Sequence, residues 1–519
     1  MGLDSRIFGT IDFKSLCVYA LVGIVTFIVL ALTGRPKQSS KKLPVPAQGW
    51  RPFVGMIRFF TDRQSFVLDN IAASHTGNFR FNIGRHNVVC LAGIDGRKAF
   101  FEHKNLDPEA GYAVLFNSAP PQPAKYVASR TGAKSSEFMG WFLLKIARFV
   151  HKDYLNEVLP KLLVDGRNQF ERRISIKDDA TYDTIDPFDQ VYKIVYKLTI
   201  RTLGPSDIAD DEKLTEQTLR LFEMIASSAS AAKIVFPYLP TPGHVKRMYA
   251  GARLYALFRK LVRDRKKSGK RGSDTLQHFV DEGEDELKVM KFVFGAIFAG
   301  QVTTGVSAAW ILVYLAVNPV WYRKIQDEVD QVLQKWDGAG SRHSPFEVFG
   351  QMRAEDWETS FPLLELCLKE TIRFQVPTAA IRQNLGDVDL PIGNTGEIIP
   401  KDWFAVYLFD EAHFNPKIFA EPDKWDPSRF LEGRKEHLKE PHCFTAWGSG
   451  RHPCVGAKFA KLEVKVITAC FVALYDYHAV GADGQRISHQ PKAARANTLS
   501  PRPVEEVRLR YQARRASRD

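Results

Sequence analysis

Hydrophobic and polar residues alternate along the chain between about positions 50 and 105, a pattern typical of half-buried β-strands. The clearest example is segment 78–94, NFRFNIGRHNVVCLAGI, where Gly77, Gly84 and Gly93 interrupt the alternating runs. Short apolar runs of the same kind return near 379–408. These segments predict a small sheet region at both ends of the central part of the chain.

Between about residues 138 and 380 the hydrophobic residues recur at helical spacing instead. Segment 236–244, FPYLPTPGH, contains three prolines and a glycine, so we predict a loop there. A further helix is predicted after residue 454. The pattern indicates a mainly α fold with a minor β part (α+β), and its clearest helices are 137–150, 187–203, 213–228, 247–267 and 287–317.

The N-terminal region has a different pattern, because Leu16–Thr33 contains 18 residues without a charge. A helix of that length spans about 27 Å, which is enough for a thin bilayer. Basic residues without acids follow it, which predicts a cytosolic body. A cleaved signal peptide is the alternative, but the run is long for one and no Ala-x-Ala site follows. We expect a luminal segment 1–15, an anchor 16–33, a basic proline-rich linker 34–50 and a cytosolic body 51–519.

Composition adds little to this outline. The 519 residues include 72 Lys+Arg and 59 Asp+Glu, a net charge of +13, and 45% are hydrophobic, which excludes disorder as the main state. The six cysteines show no paired spacing, which favours a reducing compartment over a disulfide scaffold. The spread positive charge suits a membrane surface or an acidic protein partner, and we expect no nucleic-acid partner.

Candidate chemistry is concentrated in segment 447–456, WGSGRHPCVG. Its three glycines allow the backbone to approach a flat ligand, and Cys454 precedes a predicted helix whose N-terminus favours the thiolate. Such a thiolate could bind haem iron. A buried structural cysteine is one alternative, and a zinc site that includes His442, Cys443 and His452 is another, although no Cys-x₂₋₄-Cys pair occurs.

The segment resembles the cysteine loop of the cytochrome P-450 haem-thiolate monooxygenases, Phe-x-x-Gly-x-Arg-x-Cys-x-Gly. Gly450, Cys454 and Gly456 match, while Trp447 replaces the Phe and His452 the Arg. The resemblance implies that Cys454 is the metal ligand to haem iron. It also implies that Trp447 packs on the sulfur side and that His452 lies near a haem propionate.

Other landmarks of that family follow in its order. Glu370 and Arg373 form a Glu-x-x-Arg pair 81 residues before the cysteine, and Trp425–Phe430 fits the aromatic-Asp-Pro-x-Arg-Phe stretch between them. The family implies that this pair and Arg429 form a buried structural network. Arg382 occupies the position of a propionate-binding arginine, with a surface arginine as the alternative. The Trp-x-x-x-Arg helix is ambiguous, since both Lys145 and Arg148 follow Trp141.

Segment 299–304, AGQVTT, resembles the family's Ala/Gly-Gly-x-Asp/Glu-Thr-Thr. Thr303 then takes the position whose hydroxyl helps to deliver protons to bound dioxygen. Alternatively, it only bonds its own helix carbonyl. Val302 replaces the usual acid, so either water carries the proton or the enzyme does not activate O₂ in the ordinary way.

The resemblance implies a single large haem-binding catalytic domain that inserts one oxygen atom from O₂ into a lipophilic substrate. We expect electrons from an NADPH-cytochrome reductase, a single-pass anchor in the endoplasmic reticulum membrane, and a fungal-type enzyme near the sterol-oxidising branch, acting on a terpenoid or steroid-like secondary metabolite. The reductase is expected to dock on Lys458, Lys461, Lys465, Lys145, Arg148 and Lys152, unless these form only a solvated face. The expected pocket residues are Phe116, Phe222, Ile225, Phe236, Val302, Ala379 and Ile381.

Two other functions remain open at this stage. Val302 raises the possibility of a haem-thiolate isomerase or dehydratase that needs no reductase. A membrane-anchored haem carrier or sensor without turnover is the second. Consumption of NADPH and O₂ separates the first from a monooxygenase, and an unchanged output after Thr303→Ala would favour the carrier.

Overall fold

The computed structural model describes residues 42–49, 55–115, 137–175, 181–228, 234–235, 241–269, 271–337, 343–375, 379–495 and 501–514. The predicted segments 1–15 and 16–33 lie outside these ranges, as do the predicted pocket residues Phe116 and Phe236. Most of the predicted linker 34–50 also lies outside them.

Helices dominate the described part of the chain. In order, α1 to α9 are Arg58–Thr61, Arg63–Ala73, Gly93–Glu102, Pro108–Leu115, Glu137–Phe149, Lys152–Arg173, Pro187–Leu203, Ser206–Ala209 and Glu212–Ala226. Helices α10 to α18 are Pro242–Ser268, Thr275–Asp281, Glu286–Val317, Pro319–Asp337, Pro345–Phe349, Ala354–Thr359, Pro362–Gln375, Asp410–His413 and Ala457–Leu474. Two short 3₁₀ helices lie at Pro427–Phe430 and Glu436–Leu438.

The strands form one larger sheet and three small ones. In order, β1 to β13 are Val45–Pro46, Phe79–Ile83, His86–Leu91, Leu106–Asp107, Asp183–Ile185, Ala379–Asn384, Leu390–Pro391, Ile398–Ile399, Phe404–Leu408, Gly448–Ser449, His452–Pro453, Tyr475–Val480 and Arg508–Ala513. The larger sheet has the order β1-β2-β3-β9-β6-β4, and β12-β13-β5 form a second. The predicted mainly α fold with a minor β part is confirmed.

Helix α12 is the central element of the core. It begins where the Asp285 side chain caps it by accepting the Lys288 N–H, and it ends at Asn318, before a proline. Its middle packs against α7, where the Gln301 amide donates to the Tyr192 carbonyl at 2.7 Å. This is the one described helix long and apolar enough to cross a membrane, but 78% of its most apolar window is buried, as in a core helix.

The prediction that segment 236–244 is entirely a loop is wrong at its C-terminal end. Helix α10 begins at Pro242, within that segment, and Thr241 caps it by accepting the His244 N–H at 3.3 Å. Proline is tolerated in the first turn of a helix because no earlier carbonyl there needs its missing N–H.

The larger sheet includes the end of the predicted linker. Val45–Pro46 pairs in parallel with Phe79 and Arg80 at the sheet edge, where a proline costs no ladder hydrogen bond. The larger sheet therefore includes residues on the N-terminal side of position 51. Helix α4 packs closely on strand β6. A Cβ on Gly111 of α4 would lie only 2.6 Å from the Cα of Arg382 in β6.

The predicted structural network is confirmed. Arg373 and Arg429 each bind the Glu370 carboxylate, at 2.8 and 2.9 Å, and all three residues are fully buried. Arg373 also donates to the His413 and Pro422 carbonyls, and Arg429 is bound further by Glu436. Every charge in the cluster is therefore compensated, as a buried ionic network requires.

Candidate functional site

The cysteine loop is a tight hairpin followed by helix α18. Strands β10 and β11 pair Gly448 with Pro453 and Ser449 with His452, and the Cys454 N–H donates to the Trp447 carbonyl at 2.7 Å. Gly448 has φ +71°, and a Cβ there would lie 2.5 Å from the His452 carbonyl oxygen. Only glycine fits this turn, which fixes the position of the cysteine.

The hairpin is attached to the end of helix α3. The Arg451 N–H donates to the Phe101 carbonyl at 3.1 Å, and the backbones approach so closely that a Cβ at Gly450 would overlap that carbonyl. His442 adds a second attachment, since its ring nitrogens lie 2.6 Å from the Ser449 hydroxyl and 2.8 Å from the Glu102 carboxylate.

Cys454 is exposed, two residues before Gly456, the N-cap of α18. Desolvation raises the pKa of its thiol, and a backbone hydrogen bond from Gly456 opposes that shift without cancelling it. A bound metal ion would supply the missing stabilisation, because coordination removes the thiol proton.

Trp447 lies against the main hydrophobic core beside the hairpin. Its ring lies 5.5 Å from the Lys461 ammonium, which is a cation–π distance. The indole nitrogen is buried and has no hydrogen-bond partner among the described residues. The side chain thus offers both an apolar face and a free donor at this site.

Arg382 lies on β6, and its side chain reaches the same end of α3. It is 4% exposed, donates to the Phe100 carbonyl and holds its guanidinium carbon 4.5 Å from the Phe100 ring centre. Burial lowers the pKa of this guanidinium to about 10. Among the residues that the structure describes, no carboxylate lies within ion-pair distance of it, so this is a buried cation ready for an anionic partner.

The positive charge of Arg382 acts on the imidazole of His452. Desolvation and then the positive charge of Arg382 lower the pKa of the His452 imidazole. Two residues that the sequence resemblance assigned to the haem propionates therefore converge, although they lie on different elements 70 positions apart. The surface alternative for Arg382 is excluded by its burial.

Thr303 lies on an accessible stripe of the otherwise buried helix α12. Ala299 and Thr303, one turn apart, are both exposed, whereas Val302 is 6% exposed and in the core. The Thr303 hydroxyl donates to the Ala299 carbonyl at a long 3.4 Å. The hydroxyl therefore makes the local bond of the structural alternative while facing a space that a ligand can reach.

Several other predicted residues have different surroundings from those expected. The Trp141 indole donates to Glu284 at 2.7 Å, Lys145 pairs with Glu282 at 2.6 Å, and Arg148 is exposed. Lys465 does not belong to an exposed docking face, because it is 2% exposed and pairs with Glu365 inside the protein. The sequence predicted that Lys465 lies on the same helix face as Lys458 and Lys461, but it could not predict which helices pack around that residue.

Of the predicted pocket residues that are described, Phe222 and Val302 belong to the main core and Ile225 packs on a small cluster next to it. Ala379 and Ile381 belong to a separate cluster formed by the larger sheet. The zinc alternative finds no support, since no group of three or more metal-binding side chains occurs among the described residues.

Sequence reasoning missed Tyr112 and Arg63. Tyr112 is hydrogen-bonded to the Ile381 backbone and lies near both Arg382 and Arg63, whose charges act on its phenol. Arg63 begins helix α2. Neither residue belongs to a motif. The contact of α4 with β6 brings Tyr112 near Arg382, and Arg63 reaches Tyr112 from α2, so the sequence carried no signal for them.

The site fits the haem that the sequence resemblance implies. A flat ligand needs a glycine-rich backbone and a ligating side chain on one side, which the hairpin and Cys454 provide. Its two carboxylates need cations, and Arg382 is a buried cation without an anion. The accessible stripe at Ala299 and Thr303 provides a second surface for a ligand.

Comparison with known proteins identifies the same relationship. The family model for cytochrome P450 matches residues 44–501. The chain is 30% identical to cytochrome P450 monooxygenase AacuE of Aspergillus aculeatus, covering 93% of this chain and 96% of that protein. It is 30% identical to cytochrome P450 monooxygenase nsrP of Aspergillus novofumigatus (92% and 90% covered) and 25% identical to the sterol 14-demethylase of Arabidopsis thaliana (87% and 89%). The structure of retinoic acid-bound cyanobacterial CYP120A1 shares the fold, with a TM-score of 0.68 and 17% identity over 92% of this chain and all of that one.

Proposed function

Because the chain belongs to the cytochrome P450 family, whose members are haem-thiolate enzymes, we propose that it oxidises a terpenoid or steroid-like substrate with electrons from an NADPH-cytochrome reductase. Its general class is that of a P450 monooxygenase, with haem as cofactor, O₂ as oxidant and a separate redox partner. Haem supplies the activation of O₂ and the transfer of one oxygen atom to the substrate, while the other atom leaves as water.

The observation that best supports the site assignment is the convergence of the cysteine hairpin and Arg382 on helix α3. Cys454 would bind the haem iron, and it is held by a hairpin in which Gly448 and Gly450 leave no room for a side chain. Arg382 and His452 would hold the propionates, and Trp447 would pack on the sulfur side. The closeness of the hairpin and Arg382 to the end of α3 supports these proposed assignments.

Thr303 is the proposed proton-handling residue. Its hydroxyl is on the accessible stripe of α12 and is only weakly held by the Ala299 carbonyl at 3.4 Å. It can therefore accept a hydrogen bond from water and donate one toward a ligand on that stripe. Since Val302 supplies no carboxylate, we propose that water brings the proton to Thr303.

The proposed docking surface for the reductase consists of Lys458, Arg148 and Lys152. Lys458 is 61% exposed, and the other two are also exposed. Lys145 and Lys461 already pair with Glu282 and Glu365, so they contribute less free charge. Lys458 also has an acidic neighbour, Glu358, but at 3.7 Å and with both side chains exposed, so an acidic partner would be attracted mainly by Lys458, Arg148 and Lys152.

A lipophilic substrate is supported by the apolar nature of Val302, Ala379 and Ile381, all buried. The match to a protein named sterol 14-demethylase supports a substrate of polycyclic, steroid-like shape. We also propose that residues 16–33 anchor the chain in the endoplasmic reticulum membrane, with the body in the cytosol, because the run is uncharged and is followed by basic residues.

The reduced, CO-bound absorption spectrum of the purified protein tests the proposal first. We expect the spectrum of a thiolate-ligated haem, its loss in Cys454→Ser and its retention in Cys443→Ser, a matched change at a buried cysteine outside the loop. Incubation with substrate candidates, a microsomal reductase, NADPH and ¹⁸O₂ should then give a product containing one labelled oxygen. Product formation without NADPH or O₂ would contradict the monooxygenase and favour an isomerase.

A further inference from the structure

Arg63 is a second guanidinium without an anion on this side of the molecule. Its Nε donates to the Phe59 carbonyl at 3.1 Å, and its guanidinium carbon lies 4.5 Å from the Phe59 ring centre. Burial lowers the pKa of the Arg63 guanidinium to about 10. No carboxylate among the described residues pairs with it, and the adjacent Asp62 pairs instead with Arg58 at 3.5 Å.

Tyr112 connects Arg63 to the predicted propionate arginine. The Tyr112 phenol is hydrogen-bonded to the Ile381 backbone, and both Arg63 and Arg382 act electrostatically on it. The close contact of Gly111 with the Arg382 backbone fixes this arrangement. Two guanidiniums without a carboxylate at ion-pair distance among the described residues therefore act on one phenol, and Asp107 acts on Arg382 only from farther away.

The position of Arg63 connects it to the predicted substrate pocket. Phe59, whose ring supports the guanidinium, belongs to the same apolar cluster as Ala379 and Ile381. Leu115 of α4 and Ile234, from the segment before α10, complete this side of the cluster. A guanidinium at the margin of an apolar wall is suited to a ligand that has a hydrophobic body and one carboxylate.

Building on the proposed function, we propose that Arg63, together with Tyr112, forms a carboxylate-binding subsite at the edge of the pocket, next to Arg382. The carboxylate can come from an acidic lipophilic substrate or from the haem itself. Both sources require the same recognition by a planar guanidinium and a phenol.

The experiment compares wild type with Arg63→Gln and Arg63→Lys, and uses Arg58→Gln as the matched control because Arg58 is exposed and already paired. All variants are first checked for folding by circular dichroism and for their reduced, CO-bound spectrum, which tests the proposed function separately. One arm measures the rate of haem transfer to apomyoglobin. The other measures dissociation constants by spectral titration for dodecanoate and anthraquinone-2-carboxylate, each against its methyl ester.

If the substrate supplies the carboxylate, Arg63→Gln should weaken binding of the acids about tenfold and leave the esters unchanged, the loss expected for one charge-assisted hydrogen bond. If haem supplies it, Arg63→Gln should speed haem transfer about tenfold and change acids and esters equally. Arg63→Lys should recover part of either effect, and Arg58→Gln should show neither.

The inference is overturned if Arg63→Gln changes neither haem transfer nor the preference for acids over esters by more than twofold. If wild type binds neither acid, the substrate source is excluded and the haem arm alone decides. Loss of the CO-bound spectrum in wild type would instead overturn the proposed function, from which this subsite follows.

Discussion

Arg373 and Arg382 lie nine residues apart and are both buried, but their surroundings differ in one decisive respect. Arg373 is bound by the Glu370 carboxylate and by two backbone carbonyls, so its charge is compensated within the protein. Arg382 contacts one carbonyl and two aromatic rings. No carboxylate among the described residues lies within ion-pair distance of it, and the charge of Asp107 acts on it only from farther away. The ion pair of Arg373 stabilises the fold, whereas the guanidinium of Arg382 keeps a positive charge that an anionic ligand can neutralise.

This difference separates the buried arginines of the protein into two groups. Arg429 and Arg265 resemble Arg373, since each binds two carboxylates. Arg63, which is only half-buried, resembles Arg382 in that no carboxylate among the described residues lies within ion-pair distance. Burial alone therefore does not identify a functional arginine, and what matters is whether the protein itself provides the counter-charge.

The largest loss of stability is expected when the carboxylate that neutralises Arg373 and Arg429 is removed. Glu370→Ala leaves two buried guanidiniums without their shared carboxylate, and we expect a loss of about 3–5 kcal/mol in the free energy of unfolding. Urea denaturation followed by circular dichroism measures it. Glu432→Ala, at an exposed carboxylate paired with Lys435, is the control and should change stability by less than about 1 kcal/mol.

The second prediction concerns Arg382, whose replacement should not lower the stability of the haem-free protein. Arg382→Met removes a buried charge that lacks an anion, so the haem-free protein should be as stable as wild type or more stable. The holoprotein should lose about 1.5–3 kcal/mol of haem affinity, or roughly 10- to 100-fold faster haem transfer to apomyoglobin. A fall in the stability of the haem-free protein comparable to that of Glu370→Ala would show that Arg382 is structural.

The third prediction concerns the pH dependence of the stability that the ion pair between Arg265 and Asp274 contributes. Desolvation raises the pKa of Asp274, but hydrogen bonds from Arg265 and Ser206 outweigh it and lower that pKa to about 2. A carboxyl whose pKa is lower in the folded state stabilises the protein above its unfolded pKa, and this stability is lost as the pH falls through the folded pKa. Wild type should exceed Asp274→Asn by about 2 kcal/mol at pH 7.

Urea denaturation of both proteins at successive pH values measures that difference. It should stay constant from pH 7 to about pH 5 and shrink between about pH 4 and pH 2. A difference that does not depend on pH in this range would mean that the Asp274 charge contributes nothing to the stability of the cluster.

The smallest effect is expected at the exposed lysine of the proposed docking surface. Lys458→Gln should raise the KM for the reductase about two- to threefold at low salt, because an exposed charge contributes less than about 1 kcal/mol. The effect should disappear at high salt. Lys465→Gln, at the internally paired lysine, is the comparison, and it should reduce thermal stability without changing the salt dependence of the KM.

Local patterns were sufficient to predict most of the helices. The predicted segment 187–203 is also the observed helix, and the helix predicted from Leu287 begins at Glu286. The Glu370 network could be inferred because its members keep a fixed spacing within a motif. Helical spacing was not enough for Lys465, because burial depends on which helices pack around the residue.

The candidate site was predictable to the same extent. The hairpin residues come from one continuous motif, so Cys454, Trp447 and His452 could be named from the sequence. Arg63 and Tyr112 could not, since they meet Arg382 only through the packing of α4 and α2 around the larger sheet.

The pairing of Val45–Pro46 with β2 sets the length of the tether between the body and the proposed anchor. Eleven residues lie between Thr33 and Val45, and the twelve steps from one Cα to the next reach about 40 Å in a fully extended chain. With residues 16–33 in the proposed anchor, this length would keep the first sheet strand, and with it the apolar cluster beside Arg63, within about 40 Å of the bilayer surface. A substrate dissolved in the lipid would reach this edge of the protein before any other.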